Sequence, residues 1–227
     1  YDASTGTNRV AYQDPQLTHI VEYLESNVAT IQEEYNKSIS TVPSDYEDAS
    51  NDHASLHSGK WDWHSYMNRG SVQPDFQFHF PQTAKVIQHL ATTHSLFEGT
   101  PFGFAFFSTL HPESSIQAHS SPINFRLRIH LPLQVPAGRS ETGMAGDGGA
   151  ETAPDCAIRV ATQVKEWKEG KALILDDSYE HEVWNKTNDQ TRVLLLVDIW
   201  HPDVKEVEKA HIVKMFQDAK SQGMWKK

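Results

Sequence analysis

The sequence has a single cysteine and no long apolar segment. Cys156 is the only cysteine among 227 residues, so an intrachain disulfide and a cluster of thiolate metal ligands are both excluded. No run of 18 or more apolar residues is present, and the start of the chain lacks the basic and apolar regions of a secretory signal. We therefore expect a cytoplasmic protein with no membrane partner. The chain does not begin with Met, which leaves open a targeting segment that has been removed.

Positive charge is also scarce. The 20 Lys and Arg residues are outnumbered by 30 Asp and Glu residues, which gives a formal net charge of −10. A nucleic-acid surface needs clustered Lys and Arg to neutralise phosphates, so we expect no nucleic-acid partner. A chain of this length is long enough for one domain of ordinary size, and no linker divides it. We predict a single domain over residues 1–227.

Hydrophobic spacing predicts helices on either side of a central region. Apolar residues recur every three or four positions after Asp14-Pro15, which predicts a helix reaching Ile31, and again after Pro81. A last amphipathic helix is predicted at about 203–222. Residues 39–68 show no regular pattern, and we expect an irregular polar segment there. Residues of about 14–95 would then form a helical support for the central region.

The pattern changes to alternation after Phe102, which is typical of strands. Residues 102–110 and 123–133 alternate, and shorter β-patterned stretches follow at 157–163, 171–175, 180–185 and 191–200. No helical pattern separates the later stretches, which argues against parallel β-α-β units. We predict a mainly β fold with a jelly-roll, cupin-like core over about 102–202 and helices at both ends.

Two histidines, His119 and His181, lie where β-patterned stretches begin. Neutral imidazole suits Fe(II), and the mouth of a barrel can bring two such positions together. The sequence has 13 histidines, so this pair alone does not distinguish metal ligands from structural residues. Their neighbours favour a site: Arg192 follows His181 by eleven residues on a Val/Leu-rich stretch, and Arg128 and His130 share one strand face. Buried cations are costly unless they bind an anion, and a dicarboxylate co-substrate would be such an anion.

Three segments together resemble the aspartyl/asparaginyl β-hydroxylase family of iron(II)- and 2-oxoglutarate-dependent oxygenases. They are HSSPINFRLRIH (119–130), DDSYEHEVW (176–184) and VDIWHP (197–202), and the similarity covers about residues 61–202. The resemblance implies a double-stranded β-helix with catalytic iron held by His119 and His181. It also implies that Ser108 and Arg192 hold the distal carboxylate of 2-oxoglutarate, and that Arg128 and His130 lie near its oxo-acid end. The expected cofactors are therefore Fe(II), 2-oxoglutarate and O2.

One position departs from the wider oxygenase superfamily. Most members place an iron-binding carboxylate two residues after the first histidine, where this chain has Ser121. The β-hydroxylase family also lacks that acid, so Ser121 supports the narrower resemblance. Halogenases of the superfamily lack it too and bind chloride instead, which keeps halogenation open. Glu180 and Glu182 flank His181, but strand alternation points both away from it.

Substrate contacts are predicted from position alone. Arg126 shares a strand face with Arg128 and is our candidate for binding a substrate carboxylate, with a surface salt bridge as the alternative. Trp61 and Trp63 are candidates for the rim of the substrate site. We expect hydroxylation at the β-carbon of an Asp or Asn residue or a related amino acid, so the partner is an amino-acid, peptide or small-molecule substrate. The alternatives are desaturation, cyclisation or halogenation of a small amino acid or secondary metabolite, and a non-catalytic jelly-roll binding protein.

Overall fold

The computed structural model describes residues 14–46, 56–137 and 154–224. Its first segment forms two consecutive helices, α1 (Pro15–Ser26) and α2 (Val28–Ser38), followed by a short 3-10 helix (Ile39–Thr41). Asp14 caps α1, because its carboxylate accepts hydrogen bonds from the first backbone N–H groups of the helix. The N-terminal boundary predicted from Asp14-Pro15 is therefore confirmed.

The prediction of one helix as far as Ile31 is wrong at Asn27. The backbone of Asn27 leaves the helical region, with φ −99° and ψ 1°, and its side-chain amide donates to the carbonyl of Tyr23. Asn favours such local bonds over helix continuation. The apolar stripe continues across the break, so periodicity found the buried residues but not the interruption: Leu17, Ile20, Val21, Leu24 and Ile31 are all buried.

Three further helices flank the strands. The helix predicted after Pro81 is α4 (Pro81–Thr92), and it follows a short helix α3 (Pro74–His79). The predicted terminal helix is α5 (Glu206–Ser221), in which only Lys209 is buried. In the part of the chain that the structure describes, every helix is too short or too polar to cross a membrane.

Eleven strands are present among the described residues, and they form two antiparallel sheets. In chain order they are β1 (His57–Ser58), β2 (Trp61–Asn68), β3 (Ser71–Val72), β4 (Ala105–Leu110), β5 (Ser114–His119), β6 (Arg126–Gln134), β7 (Cys156–Val160), β8 (Gln163–Lys165), β9 (Leu173–Leu175), β10 (His181–Asn185) and β11 (Arg192–Trp200). The six-stranded sheet has the order β3-β2-β4-β11-β6-β9, and the five-stranded sheet has the order β1-β5-β10-β7-β8.

The path of the chain between the sheets confirms the predicted mainly β fold. From β4 onward the chain crosses repeatedly from one sheet to the other, and first and last strands pair: β4 with β11, and β5 with β10. This winding is that of a double-stranded β-helix, the jelly-roll architecture. Helices flank this core on both sides in sequence, as expected.

The expectation of an irregular segment over residues 39–68 is wrong at its end. Trp61–Asn68 is an eight-residue strand that pairs with β4 and widens the larger sheet. Its two faces are both largely buried, one by the helices and the other inside the barrel, so the polar-outside alternation that marks a strand is missing.

Two apolar clusters lie on opposite faces of the larger sheet. One packs α1, α2 and α4 against its outer face, and includes Leu24, Ile87, Phe107, Ile129 and Leu195. The other lies between the two sheets, and includes Phe106, Ile116, Ile158, Val183 and Leu194. Each fully buried aliphatic side chain contributes roughly 1.5–3 kcal/mol. The helices thus hold the larger sheet from outside and leave the space between the sheets for polar groups.

Candidate active site

Strand register brings the predicted polar residues onto the interior face of the larger sheet. Leu194 lies opposite Ser108, Leu196 opposite His130, and Asp198 opposite Arg128. Directly paired residues point to the same face of a sheet, and residues two apart on a strand do so as well. Ser108, Arg128, His130 and Arg192 therefore all project between the sheets.

His119 and His181 meet on the opposite sheet. His119 ends β5 and His181 begins β10, and the two are direct partners in the antiparallel pair. Their ring centroids lie 4.2 Å apart. The contact joins two residues separated by 62 positions in sequence, in agreement with their predicted convergence.

Hydrogen bonds fix the same tautomer in both rings. Nδ1 of His119 lies 2.6 Å from the carbonyl oxygen of Gln117, and Nδ1 of His181 lies 2.9 Å from that of Tyr179. A carbonyl only accepts, so each Nδ1 carries the hydrogen and each Nε2 keeps a lone pair. Ligating histidines in proteins are oriented in this way.

Both imidazoles are held in the neutral form that binds metals. Burial, together with repulsion from His119, lowers the pKa of His181 to about 4. Burial also lowers the pKa of His119. Across the described residues no group of three or more His, Cys, Asp or Glu side chains is arranged to hold a metal. A metal at this position would therefore have two ligands from the described part of the protein.

Arg192 is a buried cation with no counter-ion in the part of the chain that the structure describes. Its side chain is 1% exposed, and none of the described carboxylates forms an ion pair with it. Nη2 donates to Ser108 Oγ at 3.0 Å, the guanidinium lies 5.1 Å from the ring centre of Trp167, and Nε is buried without an acceptor. Burial lowers the pKa of Arg192 to about 10. An isolated buried charge is unfavourable, so an anion beside Arg192 would stabilise this arrangement.

Ser108 can donate a hydrogen bond to the same anion. Its Oγ accepts from Arg192 and, at 2.9 Å, from Nε1 of Trp61. A serine hydroxyl has two acceptor positions and one hydrogen. Because both observed partners are donors, the hydroxyl hydrogen remains for an oxygen of a ligand.

His130 presents a neutral hydrogen-bond donor to the interior of the barrel. Its Nδ1 accepts from Nε1 of Trp167 at 3.3 Å, and an indole nitrogen only donates. The hydrogen of His130 is therefore on Nε2. Burial, followed by the charges of Arg192 and Arg128, lowers the pKa of His130 well below its usual value.

Arg126 and Arg128 form a buried ionic quartet with Asp177 and Asp198. Arg126 contacts Asp177 and lies 2.9 Å from Asp198, whereas Arg128 lies 2.7 Å from Asp198 and 3.3 Å from Asp177. Burial alone would raise the pKa of Asp177, but Arg128 and Arg126 outweigh it and hold the pKa below its usual value. Two positive and two negative charges balance within this quartet.

The placement of Arg126 contradicts its predicted role in binding a substrate carboxylate. Its side chain is 5% exposed, and its guanidinium also donates to the carbonyl of Phe102. Its donors are thus already used inside the protein. The surface salt bridge weighed as the alternative is also wrong, because the pair is buried.

We expect Arg126→Met to act on stability. Removing one partner of a buried ion pair typically costs about 3–5 kcal/mol of unfolding free energy, which urea denaturation would measure. The matched control is Arg159→Met, whose partners Glu180 and Glu182 are more exposed and whose loss should cost about 0–1 kcal/mol. Unchanged stability of Arg126→Met with weakened substrate binding would restore the original prediction.

Glu180 and Glu182 point away from the histidines, as expected, because both form ion pairs with Arg159.

Trp61 and Trp63 differ in environment. Trp61 is buried and donates to Ser108, so it lies deep beside Arg192 and not at a rim as predicted. Trp63 is half-buried and stacks on Phe106 with ring centres 4.0 Å apart. Of the two tryptophans, only Trp63 therefore stays a candidate for a substrate contact.

Sequence reasoning missed three residues that organise the site. Asp177 and Asp198 neutralise the arginines, and Trp167 positions His130 and covers Arg192. Asp198 carried a signal, because it lies within an otherwise apolar strand and a buried acid needs a cationic partner. Trp167 had no such signal, since it lies outside the named strands and the quoted motifs.

Comparison with protein families gives one match over most of the chain. The family model described as aspartyl/asparaginyl beta-hydroxylase matches residues 25–202. This range contains both histidines, the ionic quartet and Arg192.

Curated relatives share parts of this region. The chain is 31% identical over 146 residues to mouse "Aspartyl/asparaginyl beta-hydroxylase" (64% of this chain, 17% of the relative). It is 31% identical over 205 residues to "Aspartate beta-hydroxylase domain-containing protein 2" of Xenopus tropicalis (87% and 49%). It is 47% identical over 98 residues to "Ornithine lipid ester-linked acyl 2-hydroxylase" of Rhizobium tropici (43% and 30%). The chain thus spans at most about half the length of these relatives.

Solved structures that align with this chain are distant in sequence. A predicted oxalate decarboxylase from Thermotoga maritima aligns with a TM-score of 0.40 at 11% identity, covering 71% of this chain and 96% of that one. A cupin 2 conserved barrel domain protein from Salinispora arenicola aligns with a TM-score of 0.35 at 10% identity, covering 77% and 96%.

Proposed function

The chain belongs to the aspartyl/asparaginyl β-hydroxylase family, and from this we propose that it is an Fe(II)- and 2-oxoglutarate-dependent oxygenase. The observation that carries the proposal is Arg192: it is a buried cation with no counter-ion among the described residues, and it lies in the same barrel interior as two neutral histidines. A binding protein of apolar ligands would gain nothing from such a charge.

His119 and His181 would hold the iron. Their neutral rings keep Nε2 lone pairs, and the carbonyls of Gln117 and Tyr179 fix the ring orientations. Imidazole is a suitable ligand for Fe(II). The donor set therefore fits the ion.

Arg192 and Ser108 would bind the distal carboxylate of 2-oxoglutarate. The free Nε–H of Arg192 and the hydroxyl hydrogen of Ser108 both suit carboxylate oxygens, and a charged hydrogen bond of this kind is stronger than a neutral one. His130, with its hydrogen on Nε2, lies on the way from Arg192 towards Arg128 along the interior face. These positions support binding of an extended dicarboxylate along the barrel.

Bound iron, 2-oxoglutarate and O2 together supply the oxidant that hydroxylates an unactivated carbon, and 2-oxoglutarate leaves as succinate and CO2. The protein contributes position and a dry interior: Phe106, Leu194 and Leu196 line the space around the polar residues. We propose the β-carbon of an Asp, Asn or related amino-acid residue as the site of oxygenation, in keeping with the family's name.

An anaerobic titration tests this function. Adding 2-oxoglutarate to protein loaded with Fe(II) should produce a visible charge-transfer absorption, because the keto acid chelates the iron. Succinate, which lacks the keto group, is the matched control and should produce none. Absence of the absorption at saturating Fe(II) and 2-oxoglutarate would contradict the proposal.

We expect oxygenated and no halogenated products when turnover is run in excess chloride or bromide. Family membership favours hydroxylation over halogenation. Mass spectrometry of the product is the measurement. A halide isotope pattern in the product would show that the protein transfers halide to its substrate, and it would contradict this prediction.

A further inference from the structure

Trp63 has an indole N–H that no group among the described residues accepts. Its Nε1 is buried and without a hydrogen-bond partner. Trp61 donates to Ser108, Trp167 to His130 and Trp184 to the carbonyl of Pro154. Buried indole N–H groups normally find an acceptor, and an exception calls for a physical reason such as a missing ligand.

The position of Trp63 is beside the proposed active site. Trp63 is the direct partner of Ser108 in the pairing of β2 with β4, and its ring stacks on Phe106. Phe106 and His130 lie on either side of Leu196 in the larger sheet, since both are direct partners of that residue. Phe104 continues the same wall, with its ring centre 5.9 Å from that of Trp63. The backbone N–H of Phe104 donates to Asp198 of the ionic quartet, at 3.1 Å. Trp63 and Phe104 therefore flank the path from Arg192 to the quartet.

The segment 44–46 borders β2 at Trp61 and Trp63, where β3 does not reach. β3 pairs only with Met67 and Asn68, and the backbone N–H of Asp45 donates to the carbonyl of Trp63 at 2.9 Å. The ring centre of Tyr46 lies 5.1 Å from those of both tryptophans and 5.0 Å from that of His57 on the other sheet. Tyr46 thus packs beside the indole of Trp63 without accepting its Nε1–H.

We infer that Trp63 binds the substrate: its Nε1–H donates to an uncharged carbonyl or hydroxyl oxygen, and its ring and that of Phe104 pack an apolar arm beside that oxygen. This inference rests on the proposed function, since it takes the barrel interior as the active site. The wall favours an uncharged group for two reasons. Aromatic faces are electron-rich and repel a carboxylate, and one neutral donor does not compensate the desolvation of a full charge.

Indole N–H signals provide a direct test. In ¹⁵N-labelled protein loaded with Zn(II), a diamagnetic stand-in for Fe(II), the Trp63 signal is assigned by its loss in Trp63→Phe and the Trp61 signal by its loss in Trp61→Phe. With 2-oxoglutarate present, N-acetylleucine amide and N-hexanoylglycine amide are titrated as uncharged probes. N-acetylaspartate amide is the charged probe.

We expect at least one uncharged probe to move the Trp63 proton signal downfield, as a new hydrogen bond does, and to move it further than the aspartate probe does. A Trp63 signal that responds to no probe, or to the aspartate probe most strongly, would overturn the inference. The Trp61 signal reports separately on the proposed function, because Trp61 donates to Ser108 beside Arg192. If 2-oxoglutarate leaves Trp61 unchanged, the proposed function fails whatever Trp63 does.

Affinity measurements distinguish binding from packing. Trp63→Phe keeps an aromatic ring against Phe106 but lacks the N–H. We therefore expect its affinity for the probe that shifts the Trp63 signal to fall about two- to tenfold, with an unchanged melting temperature. The matched control is Trp184→Phe, which removes an N–H that donates to Pro154, and it should leave probe affinity unchanged. Equal probe affinity in Trp63→Phe and the parent protein would contradict the hydrogen bond.

Discussion

Replacing His181 with Ala should abolish stoichiometric Fe(II) binding and, with it, turnover. Only two described side chains are placed to hold the metal, so the remaining ring has no second protein ligand to act with. Loss of an outer partner of a ligand already weakens metal binding about 10- to 100-fold, and loss of the ligand itself should exceed that range. His119→Ala should behave in the same way. Metal content after dialysis and the binding isotherm for Fe(II) are the measurements.

The control for this prediction is His211→Ala, which removes an exposed histidine of α5. It should bind Fe(II) as the parent protein does. Tight stoichiometric binding by His181→Ala or His119→Ala would show that the ligand assignment is wrong. A melting temperature close to that of the metal-free parent protein would confirm that each variant is folded.

Arg192→Met should raise the 2-oxoglutarate concentration needed for half-saturation about ten- to hundredfold. A hydrogen bond to a charged group contributes about 1.5–3 kcal/mol, and tenfold in affinity corresponds to about 1.4 kcal/mol. The variant also removes an uncompensated buried charge, so its stability without ligand should be equal to or above that of the parent protein. A purely structural arginine would not give both results, a higher 2-oxoglutarate concentration for half-saturation and undiminished stability.

Arg159→Met is the matched control, because that arginine makes its ion pairs on the outer face of the smaller sheet. It should leave the 2-oxoglutarate requirement unchanged. Unchanged co-substrate affinity in Arg192→Met would mean that Arg192 only packs against Trp167.

Much of the fold and the placement of the predicted site residues followed from local patterns. Alternation in β4 and β6 and the Val/Leu-rich stretch of β11 predicted strands, and the alternation in β6 put Arg128 and His130 on one face. The convergence of His119 and His181 could be predicted because each lies at a strand end. The segments at 1–13, 47–55, 138–153 and 225–227, which belong to the predicted single domain, lie outside the described residues.

The missed strand has a physical cause, which is that burial on two sides removes the pattern that sequence reasoning uses. Residues of β2 face helices on one side and the barrel on the other, so no polar face marked Trp61–Asn68 as a strand. The error on Arg126 has a different cause. Its partners Asp177 and Asp198 lie 51 and 72 residues away in sequence, so no local pattern connects Arg126 with them.

The most direct test of the central claim is succinate formation after reconstitution with Fe(II) under anaerobic conditions and exposure to O2. With 2-oxoglutarate and a panel of amino acids, amino-acid amides and peptides, we expect succinate only when Fe(II), 2-oxoglutarate and O2 are all present. A true substrate should increase the rate and be oxygenated in equal molar amount. The Arg192→Met and His181→Ala proteins should form little succinate under the same conditions. Absence of succinate from the iron-loaded parent protein across the panel, or oxygenated product formed without 2-oxoglutarate, would contradict the assignment.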